Sequence, residues 1–268
     1  MSQLGVVGNI SIDRSRWGGL LGPASIGGAA LYVALAAARA GLASRPLSVV
    51  GCDLEAVRHR SLLGVLDLSG VKSVPGRSAI FTLNYDADGI LVGVETSYGA
   101  STQLTAHAIE QIRTRRDRFY HVCCRRPLDV TRVLDALVQA RMQFSLDFFA
   151  PSAAESIAAA TSALPMAHMV FVNAAEYALL TDAIPVRALR GILVTDGPHP
   201  AQLVRSGRCI TQAIPPHVTT VDVTGAGDTV AGTFLAARAA GLNDTAALEQ
   251  AVRAASAHAA LPAVRLDT

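Results

Sequence analysis

Short apolar segments rich in β-branched residues alternate along this chain with alanine-rich segments of helical periodicity. We predict buried strands at 4–7, 47–50, 120–123, 144–147, 169–172 and 191–195, and helices at 29–40, 105–114, 130–140, 153–162 and 230–240. Repeated alternation of this kind predicts an α/β fold with a mainly parallel central sheet and helices on both of its faces. Ligands of such a sheet bind at the carboxyl ends of its strands.

The length and composition agree with a large packed core. The chain has 268 residues, of which 51% are hydrophobic and 16% are charged. A chain of this size can bury enough apolar surface for one large domain. Neither an internal repeat nor a linker divides it, so we predict a single domain over residues 1–268.

One region departs from the alternation. Segments 78–85 and 90–96 flank Asp86-Ala87-Asp88-Gly89, which is typical of a β-hairpin turn. Together with segment 10–17, these arms can form a small sheet that projects from the core as a lid over a substrate cleft. The alternative is an edge hairpin that extends the main sheet.

Charge and cysteine content exclude several classes of function. The net charge is +2 and the arginines are scattered, so the sequence lacks the basic stripe of a nucleic-acid-binding protein. Lys72 is the single lysine, which excludes a Walker-type phosphate loop. The four cysteines lack the spacing of a zinc site and the density of a secreted disulfide scaffold. With no leader and no apolar run of membrane-spanning length, the sequence predicts a soluble cytoplasmic protein without nucleic-acid or membrane partners.

The segment Asp222-Val-Thr-Gly-Ala-Gly-Asp-Thr229 carries the clearest chemical signal. Gly225, Ala226 and Gly227 leave backbone N–H groups uncovered where a helix begins, which favours the binding of an anion. Asp228 stands at the same place and can act as a base beside developing phosphoryl charge. The segment therefore indicates phosphoryl transfer to a hydroxyl. The alternative is a packing helix in which Asp228 serves as a cap or first-turn carboxylate.

This segment, with the small-residue helix after it, resembles the signature of the ribokinase-like (PfkB) carbohydrate kinases. Other stretches of the chain follow in the order of that family, over nearly its whole length. The resemblance implies a ribokinase-like fold and the use of ATP and Mg²⁺. It also implies that Asp228 is the catalytic base, that the amides around Gly225, Ala226 and Gly227 form the anion hole, and that Thr224 contacts the nucleotide. A homodimer formed through the lid is a further expectation from the family.

The acceptor site is predicted near the end of the first strand. Asp13 can accept hydrogen bonds from two sugar hydroxyls, and Gly27 and Gly28 precede a helix and allow close backbone approach. In the family, the matching aspartate and glycines contact the phosphate-accepting substrate, and we assign Tyr32 to the same site. Alternatively, Asp13 is a turn or capping residue and the glycines are a helix entry without ligand. The segment 29–32 departs from the Gly-Gly-Lys-Gly-Ala-Asn of many sugar kinases and is closer to that of inositol kinases.

Two further segments resemble nucleotide-side motifs of the family. Asn173 and Glu176 match its Asn-x-x-Glu motif, which positions Mg²⁺ through water; the alternative is a helix-capping pair. Thr195 and Gly197 match a nucleotide-binding Val-Thr-x-Gly-x-x-Gly motif, in which Pro200 replaces the second glycine. Prolines in that segment remove amides and put the nucleotide preference in doubt.

Four other polar residues have two interpretations each. Arg125 and Arg126 follow a strand and can reach an anionic ligand, but we favour surface or structural salt bridges for both. Asp147 contacts substrate or caps the next loop. His258 lies in a segment expected beside the nucleotide, and we favour a structural role for it over a catalytic one.

The sequence thus predicts an ATP-dependent kinase that phosphorylates a hydroxyl of a small polyhydroxylated substrate, either a sugar or a nucleoside. The alternatives are a cyclitol kinase of the inositol type and a catalytically silent regulator that binds sugar or nucleotide. A dinucleotide-dependent oxidoreductase is disfavoured because no G-x-G-x-x-G follows the first strand.

Overall fold

The structure is a computed structural model, and it describes residues 4–55, 63–86, 91–115 and 117–262. In chain order the strands are β1 (Leu4–Val7), β2 (Ser11–Trp17), β3 (Leu20–Leu21), β4 (Ser25–Gly27), β5 (Ser44–Gly51), β6 (Val71–Val74), β7 (Ala79–Tyr85), β8 (Leu91–Ser97), β9 (Phe119–Cys124), β10 (Gln143–Phe148), β11 (Val170–Asn173), β12 (Ile192–Asp196), β13 (His199–Arg205) and β14 (Arg208–Ala213). The α-helices are α1 (Ala29–Arg39), α2 (Leu104–Thr114), α3 (Val130–Gln139), α4 (Ala153–Ala160), α5 (Ala174–Ala183), α6 (Ala226–Ala239) and α7 (Asp244–Ala259).

Within the described residues, nine strands form the main sheet, in the order β14-β13-β12-β11-β10-β9-β1-β5-β6. In this order, each pair of neighbouring strands between β12 and β6 is parallel. Strands β13 and β14 add an antiparallel edge next to β12. All residues of β1 and β5 are buried, as expected for strands covered on both faces. The parallel strands therefore present their carboxyl ends along one edge of the sheet.

Helices cover both faces of this sheet, and each face has its own hydrophobic core. The core on one face takes residues from α1, α6 and α7, including Leu31, Phe234 and Leu248. The core on the other face takes residues from α2, α3, α4 and α5, including Ile112 and Leu134. Among the described helices, none has the length and apolar character needed to cross a bilayer.

A second, smaller sheet consists of β2, β3, β4, β7 and β8. Strand β2 pairs in parallel with β7, and β8 pairs antiparallel with β7. The alternative of a hairpin that extends the main sheet is therefore wrong, because β7 takes β2 as its other neighbour. Residues 87–89 of the predicted turn and residue 90 of the second predicted arm lie outside the described residues. On the outer edge, Trp17, Leu20 and Leu21 have exposed fractions of 49%, 80% and 47%.

The predicted α/β class is confirmed, and every predicted strand and helix overlaps an observed element, with boundaries that differ by at most four residues. The nucleotide contacts predicted for Thr195 and Gly197 stay a prediction, and the structure shows how the segment after Gly197 is built. Gly197 and Pro198 form a tight turn, and Pro200 already lies in β13. The assignment of residues 1–268 to one domain and the role of the second sheet as a lid stay predictions.

Candidate active site

A cavity of about 340 Å³, called here the main cavity, lies where the carboxyl ends of the parallel strands meet the second sheet. Most of the residues predicted for the site line it: Asp13, Gly28, Tyr32, Asn173, Glu176, Thr195, Thr224, Gly225, Gly227 and Asp228. Gly27, Gly197 and Ala226 are not among its lining residues. The structure thus gathers residues from the two ends of the chain around one space.

The amino terminus of α6 points at this cavity. Gly225 is its N-cap, with φ at 81°, and Asp228 lies in its first turn. A Cβ at Gly225 would lie 2.6 Å from Cγ of Tyr32, so only glycine fits between the loop and that ring. A Cβ at Gly227 would meet no atom within 4 Å, which leaves open space beside the first-turn amides. The Ala226 N–H already donates to the Val223 carbonyl at 3.1 Å. Among the described residues, the N–H groups of Gly225 and Gly227 have no backbone acceptor and are available to an anion.

The Asp228 carboxylate is enclosed but still borders the main cavity. Burial raises its pKa to about 6; the charge of Arg125 acts in the opposite direction, and the nearby Asp147 raises the pKa further. Nη2 of Arg125 lies 3.4 Å from Oδ1 of Asp228. A carboxyl group with this pKa is mostly ionised at neutral pH and can accept a proton.

Arg125 lines the main cavity. The predicted salt bridge is present, but it lies inside the candidate site and not at the surface, and it joins the carboxylates of Asp147 and Asp228. Its Nη2 donates to both carboxylate oxygens of Asp147 at 3.1 Å, and its guanidinium lies 5.3 Å from the ring centre of Phe149. Arg126 instead forms an exposed pair with Glu155. Arg125 directly follows β9, so its place at a strand end was the available signal.

Behind Asp147 lies a group of potential metal ligands. The ligand atoms of His121, Cys123 and Asp147 are buried within 4.8 Å of one another. Burial and the charge of Asp147 raise the pKa of the Cys123 thiol well above its ordinary value, so the thiol stays protonated. Asp147 is already paired with Arg125, and its Oδ2 lies 3.5 Å from Nε2 of His121. A protonated thiol and an adjacent guanidinium disfavour a cation here, and we interpret the group as packing that orients Asp147.

Asp13 lies on β2, and its carboxylate borders the main cavity. Ser11 Oγ donates to Oδ1 of Asp13 at 2.7 Å. Burial raises the pKa of Asp13 to about 6, although the Ser11 hydrogen bond lowers it and Asp228 adds repulsion. Gly27 lies against the carboxylate of Asp13. A Cβ at this position would lie 1.8 Å from Oδ2 of Asp13, so the absence of a side chain at Gly27 leaves room for the carboxylate. Gly28 is the N-cap of α1, with φ at 102°.

Asn173 and Glu176 form a complete capping box at the start of α5. The Asn173 N–H donates to Oε2 of Glu176 at 2.9 Å, and the Glu176 N–H donates to Oδ1 of Asn173 at 2.9 Å. The capping alternative therefore describes the geometry, while both side chains still line the cavity. Burial raises the pKa of Glu176 to about 7; the bond from the Asn173 N–H opposes this, and the charges of Asp147 and Asp228 add to it.

Thr224 and Tyr32 also line a second cavity of about 400 Å³ between α1, α6 and α7, called here the second cavity. His258 lines it as well, and its Nε2 lies 2.7 Å from the Thr224 carbonyl oxygen. Thr195 donates weakly from Oγ1 to the Val172 carbonyl at 3.4 Å. Because Thr224 lines both cavities, the loop before α6 separates the main cavity from the second cavity.

Sequence reasoning missed several lining residues. Asn9 borders the main cavity, and its buried Oδ1 has no hydrogen-bond partner among the described residues. Phe81 lies opposite Asp13 in the β2–β7 register, and Leu83 lies opposite Ser15. The alternation of side chains along a strand was the signal for Ser11 and Asp13, which share one face. The position of Phe81 in the cavity depends on the pairing of β2 with β7, which local sequence patterns do not specify.

Solved structures with the same fold include three kinases or candidate kinases. A Burkholderia thailandensis nucleoside kinase in complex with inosine has a TM-score of 0.78 at 21% identity, over 96% of this chain and 90% of that one. An adenosine kinase from Sinorhizobium meliloti has a TM-score of 0.78 at 17% identity, over 98% and 95% of the two chains. A candidate ribokinase II from E. coli in complex with ATP and Mg²⁺ has a TM-score of 0.80 at 18% identity, over 98% and 94%.

These similarities show that the fold is ribokinase-like, as predicted. No curated protein sequence matches the chain significantly. The family model described as pfkB family carbohydrate kinase matches residues 24–265, which is well over half of the chain. The chain therefore belongs to the pfkB family of carbohydrate kinases.

Proposed function

We propose that this protein is an ATP-dependent kinase that transfers the γ-phosphoryl group to a hydroxyl of a sugar or nucleoside. The observation that carries the proposal is the convergence of Asp228, the first-turn amides of α6 and Asp13 on one cavity. The structural relatives support it, because they include a nucleoside kinase with inosine and an adenosine kinase.

Asp228 is the proposed base. Its pKa of about 6 leaves it ionised at neutral pH, and burial keeps competing water away from it. As the acceptor oxygen forms its bond to phosphorus and the bond to the β-phosphate oxygen breaks, the hydroxyl proton passes to Asp228. Arg125 limits the repulsion between this carboxylate and Asp147.

The amides of residues 225–227 are the proposed anion hole. They lie at the N-cap and in the first turn of α6, where Gly225 adopts the αL conformation. Dipoles that are already oriented stabilise the charge that develops during transfer without reorganisation. Thr224 and Thr195 line the same cavity and are the proposed nucleotide contacts. Ala226 and Gly197 do not line it. The Ala226 N–H already donates to the Val223 carbonyl, so Gly225 and Gly227 are the proposed main donors of the anion hole.

Asn173 and Glu176 are the proposed residues for Mg²⁺, through water. The residues fit such an ion, because the charges of Asp147 and Asp228 raise the pKa of Glu176 and a cation would offset this repulsion, while amide and carboxylate oxygens are the ligands that Mg²⁺ prefers. When bound, Mg²⁺ neutralises charge on the phosphate groups. The capping box holds the side chains of Asn173 and Glu176 in place, and both line the cavity.

The acceptor subsite combines polar and apolar surface. Asp13 and Asn9 offer oxygens to hydroxyl donors, while Phe81 and Leu83 present apolar surface from the same sheet. A nucleoside has both a sugar with hydroxyls and a flat base, so this combination favours a nucleoside over a free sugar. We propose that the second sheet acts as the lid over this acceptor. Gly28 and Tyr32 shape the entry to α1 beside it.

The test is ADP release with ATP and Mg²⁺ across panels of nucleosides, sugars and cyclitols. We expect turnover with at least one nucleoside or sugar, and loss of turnover by orders of magnitude in Asp228→Asn with ligand binding retained. Turnover with cyclitols alone would assign the protein as a cyclitol kinase. Ligand binding without turnover on every acceptor would contradict the kinase and favour a regulator.

A further inference from the structure

We infer that His258 is a positioning residue for the loop formed by residues 222–225, called here the anion-hole loop. It lies in the last turn of α7 and lines the second cavity, whereas Asp228 lines the main cavity. The inference rests on the phosphoryl transfer proposed above. His258 would act on that reaction without touching either substrate, by fixing the direction of one backbone amide.

The contact itself defines what His258 does. Its Nε2 lies 2.7 Å from the carbonyl oxygen of Thr224. A carbonyl oxygen can only accept, so Nε2 carries the hydrogen and donates it. The imidazole ring is held in turn by an edge-to-face contact with Tyr32, at 5.5 Å between ring centres. Tyr32 also packs against Gly225. The Thr224–Gly225 peptide therefore has His258 at its carbonyl oxygen and Tyr32 beside the glycine that follows.

The direction of the Gly225 N–H follows from this contact. In a trans peptide the carbonyl and the next N–H point in opposite directions, and the Thr224–Gly225 bond is trans. Thr224 lines both cavities, and its carbonyl is directed to His258 in the second one. The Gly225 N–H is therefore directed towards the main cavity. Among the described residues, no hydrogen bond uses this N–H, which leaves it available to an anion.

Other contacts fix the ends of the loop but not the plane of this peptide. The N–H groups of Val221 and Asp222 donate to the Ala259 carbonyl at 2.8 and 3.1 Å. The Thr224 N–H donates to Oδ1 of Asp222 at 2.8 Å. Two backbone bonds flank the peptide that follows Thr224: the Ala226 N–H donates to the Val223 carbonyl at 3.1 Å, and the Thr229 N–H donates to the Gly225 carbonyl at 2.8 Å. Neither bond holds the Thr224 carbonyl or the Gly225 N–H, so the peptide between them can still rotate, because glycine at position 225 tolerates many φ values. The bond from His258 is the side-chain contact that opposes this rotation.

An amide that is correctly directed before the reaction lowers the barrier more than it strengthens ground-state binding. Loss of one such donor costs on the order of 10²–10³-fold in kcat. A misdirected amide still visits the correct orientation, so we expect a smaller loss, roughly tenfold to a hundredfold. KM for ATP and for the acceptor should change by less than about threefold.

The experiment compares three variants in steady-state kinetics and thermal unfolding. His258→Leu removes the donor, His258→Gln replaces Nε2 with an amide that can donate from a similar position, and Gln250→Ala alters the same helix and the same cavity away from the loop. We expect kcat to fall in His258→Leu, to recover at least in part in His258→Gln, and to remain at the wild-type level in Gln250→Ala. If His258→Leu does not fold, His258→Asn replaces it, since its shorter polar side chain does not reach the carbonyl.

A second readout does not require turnover. In protein labelled with ¹⁵N-glycine, the Gly225 amide resonance should shift on addition of Mg²⁺ and ATP in the wild type and in His258→Gln, but much less in His258→Leu. A folded His258→Leu with wild-type kcat and a wild-type Gly225 shift would overturn the inference. Absence of turnover in the wild type with every acceptor would instead contradict the proposed kinase, and the amide shift would still decide the role of His258.

Discussion

Burial raises the pKa of three carboxyl groups that line the main cavity, Asp13 and Asp228 to about 6 and Glu176 to about 7. Each of these groups binds its proton more tightly in the folded protein than in the unfolded chain. Ionising them therefore reduces the free energy of unfolding as the pH rises from about 4 to about 6 for the two aspartates, and from about 4.5 to about 7 for Glu176. The site holds charges that the fold alone would not favour, which is typical of catalytic groups.

Asp228→Asn should be more stable than the wild type at alkaline pH, because the neutral amide avoids the cost of a buried charge. At pH 8 we expect a gain in unfolding free energy of about 1–3 kcal/mol. The gain should shrink as the pH falls through about 6, where the wild-type carboxyl becomes protonated. Urea unfolding at pH 5 and pH 8 measures both values. An equal gain at the two pH values would show that the charge is not the cause.

Arg125→Gln should move the acidic limb of the activity profile. Activity needs ionised Asp228, so kcat/KM should rise with pH through about 6 in the wild type. The Arg125 guanidinium lowers the pKa of Asp228, and its removal should shift the limb to higher pH by about one unit.

Arg126→Gln is the matched control for this profile, since Arg126 is the next residue and pairs with Glu155 at the surface. We expect its pH profile to coincide with that of the wild type. A limb that does not move in Arg125→Gln would mean that another group titrates.

At the residue scale, motifs in the sequence predicted Asp228, Asp13 and Glu176 as site residues, and all three line the main cavity. The sequence did not predict that Arg125 contacts Asp228, the proposed base. That contact depends on the alignment of β9 with β10, which places Asp147 opposite Cys123, and on α6, which is 103 residues away from Arg125. Local patterns carry no information about such a distant contact.

The capping box of α5 shows how one element serves both structure and chemistry. Asn173 and Glu176 close the first turn of the helix through two backbone bonds. The sequence predicted both the capping interpretation and the Mg²⁺ interpretation for this pair, and the spacing of three residues satisfies both. No local pattern could separate them, because the same side-chain positions are required.

Glu176→Gln should separate the two roles of this pair. A glutamine still accepts the Asn173 N–H and completes a capping box, so we expect a melting temperature at pH 7 equal to or above that of the wild type. The loss of a carboxylate should raise the Mg²⁺ concentration needed for half-maximal activity by roughly tenfold or more. Asn173→Asp, which retains a capping oxygen, is the comparison. An unchanged Mg²⁺ requirement in Glu176→Gln would leave this residue with the structural role alone.

Elements buried on both sides were the ones that the sequence predicted well. Strands β1, β9, β10, β11 and β12 are short apolar runs, and helices α1 to α4 have clear periodicity. The sequence pattern does not predict β3, β4, β6, β13 or β14. These are short or lie near sheet edges, where β14 for example is mostly exposed, so their side chains lack the apolar pattern that marks a strand.

At the scale of the whole molecule, the candidate site lies between the main sheet and the second, smaller sheet. The main sheet supplies Arg125, Asp147 and Asn173 from its carboxyl edge, and the second sheet supplies Asp13 and Phe81. The sequence predicted a hairpin and a possible association with segment 10–17, but not the parallel direction of the β2–β7 pairing. Parallel pairing joins segments that are distant in the chain and is set by packing of the complete fold.

Phe81→Ala should weaken binding of the acceptor while leaving the chemical step nearly intact. The variant removes apolar surface from the wall of the main cavity next to Asp13. We expect KM for a nucleoside acceptor to rise about tenfold, which corresponds to about 1.4 kcal/mol, and KM for ATP to stay unchanged. Val92→Ala, on the exposed side of β8, is the control. Equal effects on nucleosides and free sugars would indicate that Phe81 does not contact a base.

The outer edge of the second sheet has its own consequence for measurements on this protein. Trp17, Leu20 and Leu21 are exposed there, on a short strand pair that also contributes the wall next to Asp13. If two copies of the chain form a dimer through this edge, dilution would dissociate the dimer and make the wall of the main cavity next to Asp13 less rigid. Specific activity would then fall at low enzyme concentration, together with a red shift of the Trp17 fluorescence, the only tryptophan signal of the chain.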